Sequence, residues 1–540
     1  MAPGVRPLFE KWLASEGVEI GPREALLFLF MHAYLDVSFG EQTHLNAKAV
    51  RAMLVLHCVN HVLKGRDEVN ANTEKLDAQE SGTGDVGTCV ADKGFSSPRV
   101  LILCPFRSIC HDLVKMILSI CPAAKQVMNQ KRFREEFSPG VIDDAEGSDK
   151  PADWLHVFGG NNDDCFAVGL NILRRAVKLH SPLDKSDMLI CSPLGLRQML
   201  GDEGKRRKNA DFLSSIEVCV MDRADVLRMQ NWEHVVEIMS LVNCKPFGLQ
   251  GIDISRLRPQ FADGRARNFR QTVVSAAGQN FEIDGILTAG SSDAPGMKAE
   301  AAPTIGKAKK KKRWGVLDEE EDEEVDGLGT AAAAAVPAGQ FGSCRGSVRL
   351  ADAPDGAALR HAATLGIARQ VFLHAAGGAG VSEDERLFDA FRTRYWKPIG
   401  KTLERLLIVA NSYFSFLRIR RFLKKGSISF CSVCEFSSSQ DLGYARTAFT
   451  KREKKVLLVS QRFLWYRRYH FTGADYVLFY GTPDTAEIYE HVLRDARTPS
   501  LCNSMCLFRT HDFLALERIV GRERATRMVA SSEGKVFVVK

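Results

Sequence analysis

The 540-residue chain has no apolar run near the roughly 18 residues that a membrane-spanning helix needs; stretches such as Ala25–Phe30 and Met53–Leu56 stop far short. Its first residues, MAPGVRPLFEKW, carry no basic-then-apolar signal pattern. The expectation is neither an integral membrane protein nor a secreted one. A disulfide framework is missing too. Most of the 14 cysteines, among them Cys104, Cys191 and Cys219, stand singly inside apolar runs, where a reduced thiol acts as a small core residue. No Gly-x-Ser-x-Gly nucleophile context occurs. His57, His61, His111 and His156 sit on apolar segments and read as packed or surface histidines, not as ligands.

What is present is globular. Apolar residues make up 45% and charged residues 26% of a length that suits two to four domains. The net charge of +7 is modest, but it is unevenly spread. From Arg394 to His470 there are 17 Lys and Arg against 4 Asp and Glu, so the rest of the chain is net acidic. The same segment holds Tyr395, Trp396, Phe463, Trp465, Tyr466 and Tyr469. Cations interleaved with aromatics suit phosphates and bases, although a solvated face of a folded domain gives the same pattern.

A low-complexity stretch runs from about residue 290 to 342. It carries the basic run Lys309, Lys310, Lys311, Lys312 and Arg313, the acidic block Asp318–Glu324, and five alanines from Ala331. Blocks of like charge repel and bury no core, so a disordered linker is expected, with the basic run a candidate nuclear-localisation signal.

On both sides of it, short apolar runs alternate with helical patterns. Before it, Ala47–Leu63 and Ser108–Ile120 have helical spacing. Arg99–Cys104, Trp154–Phe158, Asp187–Cys191, Ile216–Met221 and Gln271–Ser275 read as strands. After it, strands are expected at Leu406–Ala410, Ile428–Cys431, Val456–Ser460 and Tyr476–Tyr480, with helices at Ser412–Lys425, Leu442–Phe449 and Glu487–Leu493. Such alternation predicts α/β domains built on parallel sheets. The expected division is residues 1–289, a linker at 290–342, and residues 343–540.

Two such domains in tandem resemble the RecA-like pair of superfamily 2 helicases, the DEAD-box type in particular. The strand that would end in Asp-Glu-Ala-Asp ends here in Asp222, Arg223, Ala224 and Asp225. Pro105-Phe106-Arg107 and Ser192-Pro193-Leu194-Gly195 resemble that family's first two RNA-contact motifs, and Ser275-Ala276-Ala277 its Ser-Ala-Thr motif. More narrowly, LHCVNHVLK, NNDDCF, SPLGLR, NWEHV, QVFLHA, RRYHFTGADYVLFYGTP and LERIVG resemble, in order, the U3 small nucleolar RNA-associated protein 25 family, also called digestive organ expansion factor. That resemblance implies a helicase-like protein without working ATPase motifs. It implies a place in the nucleus and nucleolus, in the small-subunit processome. It implies partners among pre-rRNA, U3 small nucleolar RNA and other processome proteins, and support for 18S rRNA maturation.

The residues can be tested against ATP chemistry. A P-loop needs a Gly-rich cradle, a Lys, and a Ser or Thr for Mg²⁺. The segment before the Ala47 helix, SFGEQTHLNAKAV, has one glycine, and Lys48 reads as a helix-surface lysine. Gly400-Lys401-Thr402 precedes a strand, whereas a P-loop follows one. Arg223 replaces the Glu that would position water. Aligning Tyr489-x-His491 with the helicase motif puts Val492, Asp495 and Thr498 where arginine fingers would stand, with Arg494 and Arg497 one place off. No catalytic residue and no cofactor are expected.

No metal site is expected either: Cys431 and Cys434 lie about 70 residues from Cys502 and Cys506, and the two gaps differ. RNA-contact candidates are Arg107, Arg197, Arg418, Arg420, Arg421, Lys424, Lys425, Arg462, Arg467 and Arg468. Two other readings stay open. One is an active ATP-dependent RNA helicase; the other is a protein-only adaptor whose basic patch docks acidic tails.

Overall fold

The computed structural model describes residues 1–80, 90–138, 150–248, 252–287, 345–351, 356–364, 367, 369–375, 381–400, 403–495, 503–531 and 534–539. The charged stretch 290–342, with its basic run, lies outside them, as do Lys401, Thr402, Arg497, Thr498 and Cys502.

The first sheet has strands β1 (Asp36–Phe39), β2 (Val100–Leu103), β3 (Gln126–Met128), β4 (Ala167–Ile172), β5 (Ala176–Leu179), β6 (Met188–Cys191), β7 (Val218–Met221), β8 (Gln271–Ser275) and β9 (Ser347–Leu350). They lie in the order β3-β5-β4-β6-β2-β7-β8-β1-β9. The second has β10 (Arg369–His374), β11 (Leu406–Ala410), β12 (Phe430–Val433), β13 (Val456–Ser460), β14 (Tyr476–Tyr480), β15 (Asn503–Phe508) and β16 (Val536–Val539), in the order β12-β13-β11-β14-β15-β10-β16.

The central strands β2, β6, β7, β8, β11 and β13 are buried at every position, because both faces are covered. That is why β2, β6, β7 and β11 show in the sequence as unbroken apolar runs, whereas β8 buries Gln271, Thr272 and Ser275. The helix Arg107–Ile120 buries Ile109, Cys110, Leu113, Val114, Ile117 and Ile120, the stripe expected of one helical face.

Three expectations are corrected. Trp154–Phe158 is not a strand: Ala152–Phe158 is helical, entered from Pro151, with Asp153 in its first turn. The four-residue step from Trp154 to Phe158 puts both rings on one face, where they meet at 5.2 Å. Neither sheet is purely parallel: β4 runs antiparallel to β5 and β6, and β16 antiparallel to β10. Finally, Ser347–Leu350, placed by sequence in the second domain, pairs with β1 of the first sheet, from Asp36↔Ser347 to Phe39↔Leu350.

The two domains share one apolar cluster. It crosses between them where Phe158 meets Trp465 edge-on at 5.0 Å and Tyr466 at 5.7 Å.

Candidate functional site

β1 ends at Phe39, and residues 40–46 lead into the helix Ala47–Glu80. This is the strand–loop–helix position of a P-loop. Here the loop's polar groups turn inward. Thr43 N donates to Asn46 Oδ1 at 2.8 Å, and Asn46 Nδ2 donates to Glu41 O and to Glu24 Oε1, both at 3.0 Å. Gln42 N donates to Ala276 O at 3.0 Å. Lys48 does not enter the pocket; its Nζ pairs with Glu16 at 2.6 Å on the surface.

At the end of β7 lies Asp222, fully buried. Its carboxylate is filled from inside the protein. Arg51 Nε, from the second turn of the following helix, donates to Oδ2 at 2.7 Å. Gln42 Nε2 donates to Oδ1 at 2.7 Å, and Ser275 Oγ donates to the same oxygen at 3.2 Å. Burial alone would raise the Asp222 pKa. The Arg51 charge, hydrogen bonds from Gln42 and Arg51, and the Arg223 charge outweigh it and hold the carboxyl below its usual range. A guanidinium thus stands directly on this buried carboxylate.

Arg223 caps the helix Ala224–Leu241 in the left-handed region, at φ 58°. Its guanidinium grips Asp225 with two bonds, Nε to Oδ1 at 3.0 Å and Nη2 to Oδ2 at 2.7 Å. Asp225 Oδ1 also accepts from Ala277 N at 3.1 Å. Ala224 is core. The Asp222–Asp225 segment and the Ser275–Ala277 segment therefore meet through internal bonds.

The domains face each other across two joints. In one, Trp154 Nε1 donates to Tyr466 O at 2.9 Å, and Arg468 Nη2 reaches Asp153 at 2.7 Å. In the other, Arg228 of the first domain pairs with Asp484 of the second at 3.2 Å, and Arg518 Nη2 donates to Gln279 O at 2.6 Å. Gln461 Nε2 holds Asp484 from its own side at 2.7 Å.

The RNA-contact candidates divide sharply. Arg107 is engaged in its own domain: Nε pairs with Asp163 at 3.0 Å, Nη2 donates to Cys165 O at 3.0 Å, and the guanidinium lies 5.0 Å from the Phe137 ring centroid. Arg197 bonds His234 at 2.8 Å and Glu237 at 2.7 Å. Arg468 is buried in the domain joint. Arg418 stacks over Phe388 at 4.2 Å. Arg462 is exposed but donates to Gln230 O at 2.8 Å, across the domains.

The remaining five are exposed: Arg420, Arg421, Lys424, Lys425 and Arg467. The helix Tyr413–Lys425 sends Phe416, Ile419 and Leu423 inward, and that spacing sends the four cations outward. Tyr413, Phe414 and Phe436 lie exposed at the C-terminal ends of β11 and β12, with Tyr413 and Phe436 edge-to-face at 5.4 Å.

Sequence reasoning missed Arg51 and Gln42. Nothing in the local sequence marks either residue, since the contacts that bury them come from the ends of β7 and β8. Of the cysteine pairs weighed as zinc ligands, Cys431 and Cys506 are buried in separate strands, and Cys431 Sγ lies 3.6 Å from Ala445 O.

Two α/β domains, each built on a largely parallel sheet and set face to face with the Asp222 carboxylate closed by an internal arginine, define the class of the fold. Residues 34–297 match the family model described as UTP25, NTP hydrolase-like domain, and residues 362–538 match Utp25, C-terminal domain. The chain belongs to the U3 small nucleolar RNA-associated protein 25 family. The U3 small nucleolar RNA-associated protein 25 homolog of Rattus norvegicus is 30% identical over 528 residues, covering 94% of this chain and 61% of that protein. U3 small nucleolar RNA-associated protein 25 of Schizosaccharomyces japonicus is 30% identical over 504 residues, covering 92% of this chain and 69% of that protein. The chain thus spans about 61% of the rat relative's length. Among solved structures, a DEAD box protein from Methanococcus jannaschii aligns with a TM-score of 0.27 and 11% identity, over 98% of this chain and 95% of that one.

Proposed function

We propose that this chain is a non-catalytic ribosome biogenesis factor: a helicase-shaped scaffold of the nucleolar small-subunit processome. It contacts pre-rRNA, U3 small nucleolar RNA and neighbouring proteins, and it supports the maturation of 18S rRNA. The names of its relatives support the setting. The observation that carries the non-catalytic reading is the Arg51–Asp222 pair at 2.7 Å. A buried carboxylate already neutralised by a guanidinium has little left to offer a metal ion, and the glutamate that would position water is Arg223, which accepts no proton.

Deprived of an ATP cycle, the fold works as a surface. The exposed cations of the Tyr413–Lys425 helix, beside Tyr413, Phe414 and Phe436, offer phosphate contacts and stacking faces together. The test is ultraviolet crosslinking in cells followed by sequencing of the bound RNA. Enrichment of pre-ribosomal RNA or U3 small nucleolar RNA is the expected result. Co-purification with ribosome precursors and no enriched RNA would move the function to bridging between proteins.

A further inference from the structure

The loop after the helix Gln461–Arg467 brings His470 against the helix Ala486–Asp495, one turn of which carries His491 and Asp495. The ligand atoms of these three residues lie within 4.8 Å of one another. His470 Nδ1 is 2.8 Å from Asp495 Oδ1, and His491 Nε2 is 3.4 Å from Asp495 Oδ2. The two imidazoles meet at 5.0 Å with their planes inclined by 61°.

The geometry points to a divalent metal site, of the zinc class, formed by His470, His491 and Asp495. Zinc takes histidine nitrogen and carboxylate oxygen at about 2.0–2.2 Å in a tetrahedron, which sets neighbouring ligand atoms about 3.4 Å apart. The separation at His491 equals that value and the one at His470 is about 0.6 Å shorter, a small adjustment for a side chain on a loop. Two imidazoles and a carboxylate suit Zn²⁺ better than Mg²⁺ or Ca²⁺, which prefer all-oxygen sites, and water completes the fourth position. Arg468 is paired with Asp153 at 2.7 Å, which offsets its repulsion of an incoming cation.

Asp495 stands where the helicase alignment expects an arginine finger, so a position that would meet nucleotide has instead acquired a metal-ligating group. The ion would tie the 468–471 loop to the Ala486–Asp495 helix. That loop also carries Arg468, one of the links between the domains. Binding at this point stiffens the second domain's side of the joint. Spacing in the sequence hides the set, because His470 lies 21 residues before His491.

The test uses the full chain, stripped with chelator and titrated with ZnCl₂ by calorimetry, and with CoCl₂ by visible absorption. One equivalent of Zn²⁺ should bind. Affinity should fall by about 100-fold in His470→Gln and in Asp495→Asn, and hold in Cys434→Ser. The cobalt form should lack a thiolate charge-transfer band. The cobalt spectrum needs no variant, so it decides the matter even where a substitution unfolds the chain. Absence of saturable zinc binding, a thiolate band, or loss of binding in Cys434→Ser alone would overturn the assignment.

Discussion

Arg51 Nε lies 2.7 Å from Asp222 Oδ2, with the two side chains 5% and 0% exposed. Arg51 comes from the helix after the degenerate loop and Asp222 from the end of β7, so one ion pair joins the two halves of what would be a nucleotide pocket. Two charges held out of water depend on each other. Arg51→Ala should therefore cost about 3–5 kcal/mol, read as a lower urea midpoint with an unchanged slope, because it leaves a buried carboxylate without its paired guanidinium. The double substitution Arg51→Met with Asp222→Leu should recover most of that loss. Recovery separates a pocket sealed for packing from a carboxylate retained for chemistry.

The aromatic joint should control the arrangement of the domains. Trp154 and Phe158 present two rings on one helical face to Trp465 and Tyr466. Truncating Phe158 to Ala removes a side chain 9% exposed at the centre of that contact, at a cost of about 3 kcal/mol. Small-angle scattering of the variant should show a larger radius of gyration, with the far-ultraviolet dichroism of the two domains unchanged.

Acid should destabilise the protein in two windows. Burial pushes His57, His156 and His491 down from 6.5 to about 4, so the unfolded chain binds more protons than the folded one between those values. Their contribution is complete above pH 6.5 and is lost as pH falls toward 4; for His57 alone it amounts to about 3 kcal/mol. Glu217 titrates lower. Burial raises its pKa, but the hydrogen bond and charge of His61, with Arg99 and Arg258, bring it from 4.5 down to about 2. Its stabilisation is present above pH 4.5 and fades toward pH 2. Urea midpoints from pH 7.5 to 3 should fall steadily, and His57→Gln should flatten the upper window, since its hydrogen bond to Gln271 at 2.7 Å needs no charge.

The cations should separate by role. Reversing Arg420, Arg421, Lys424 and Lys425 to Glu should weaken binding to single-stranded RNA and flatten its salt dependence by up to about 3 in logarithmic slope. Arg107→Ala and Arg468→Glu should instead lower stability, because both guanidinia hold protein partners. Fluorescence anisotropy across a salt series, with melting curves alongside, distinguishes the two groups.

These roles show what a sequence can carry. The central strands were legible because double-sided burial leaves a run such as VLIL with no polar member. The helix Ala152–Phe158 was not: five residues with four apolar members fit either period, and the deciding fact is the second domain against which Trp154 and Phe158 pack. β9 was missed because its four residues alternate in burial at a sheet edge. The altered motif at Asp222 was legible residue by residue. Its partner Arg51 was not, because nothing local marks which of a helix's arginines turns inward. Sequence likewise could not tell the free cations of the Tyr413–Lys425 helix from Arg107, Arg197 and Arg468, whose carboxylate or carbonyl partners come from distant segments.

The proposed function requires that side chains, not nucleotide, hold the two domains together, with the exposed cationic helix left for RNA. Its most direct test is the affinity of the full chain for single-stranded RNA with and without saturating ATP and Mg²⁺, with phosphate release followed in the same samples. The account predicts the same dissociation constant in both conditions and no RNA-stimulated phosphate release. Tightening by tenfold or more with ATP, together with RNA-stimulated turnover, would contradict it.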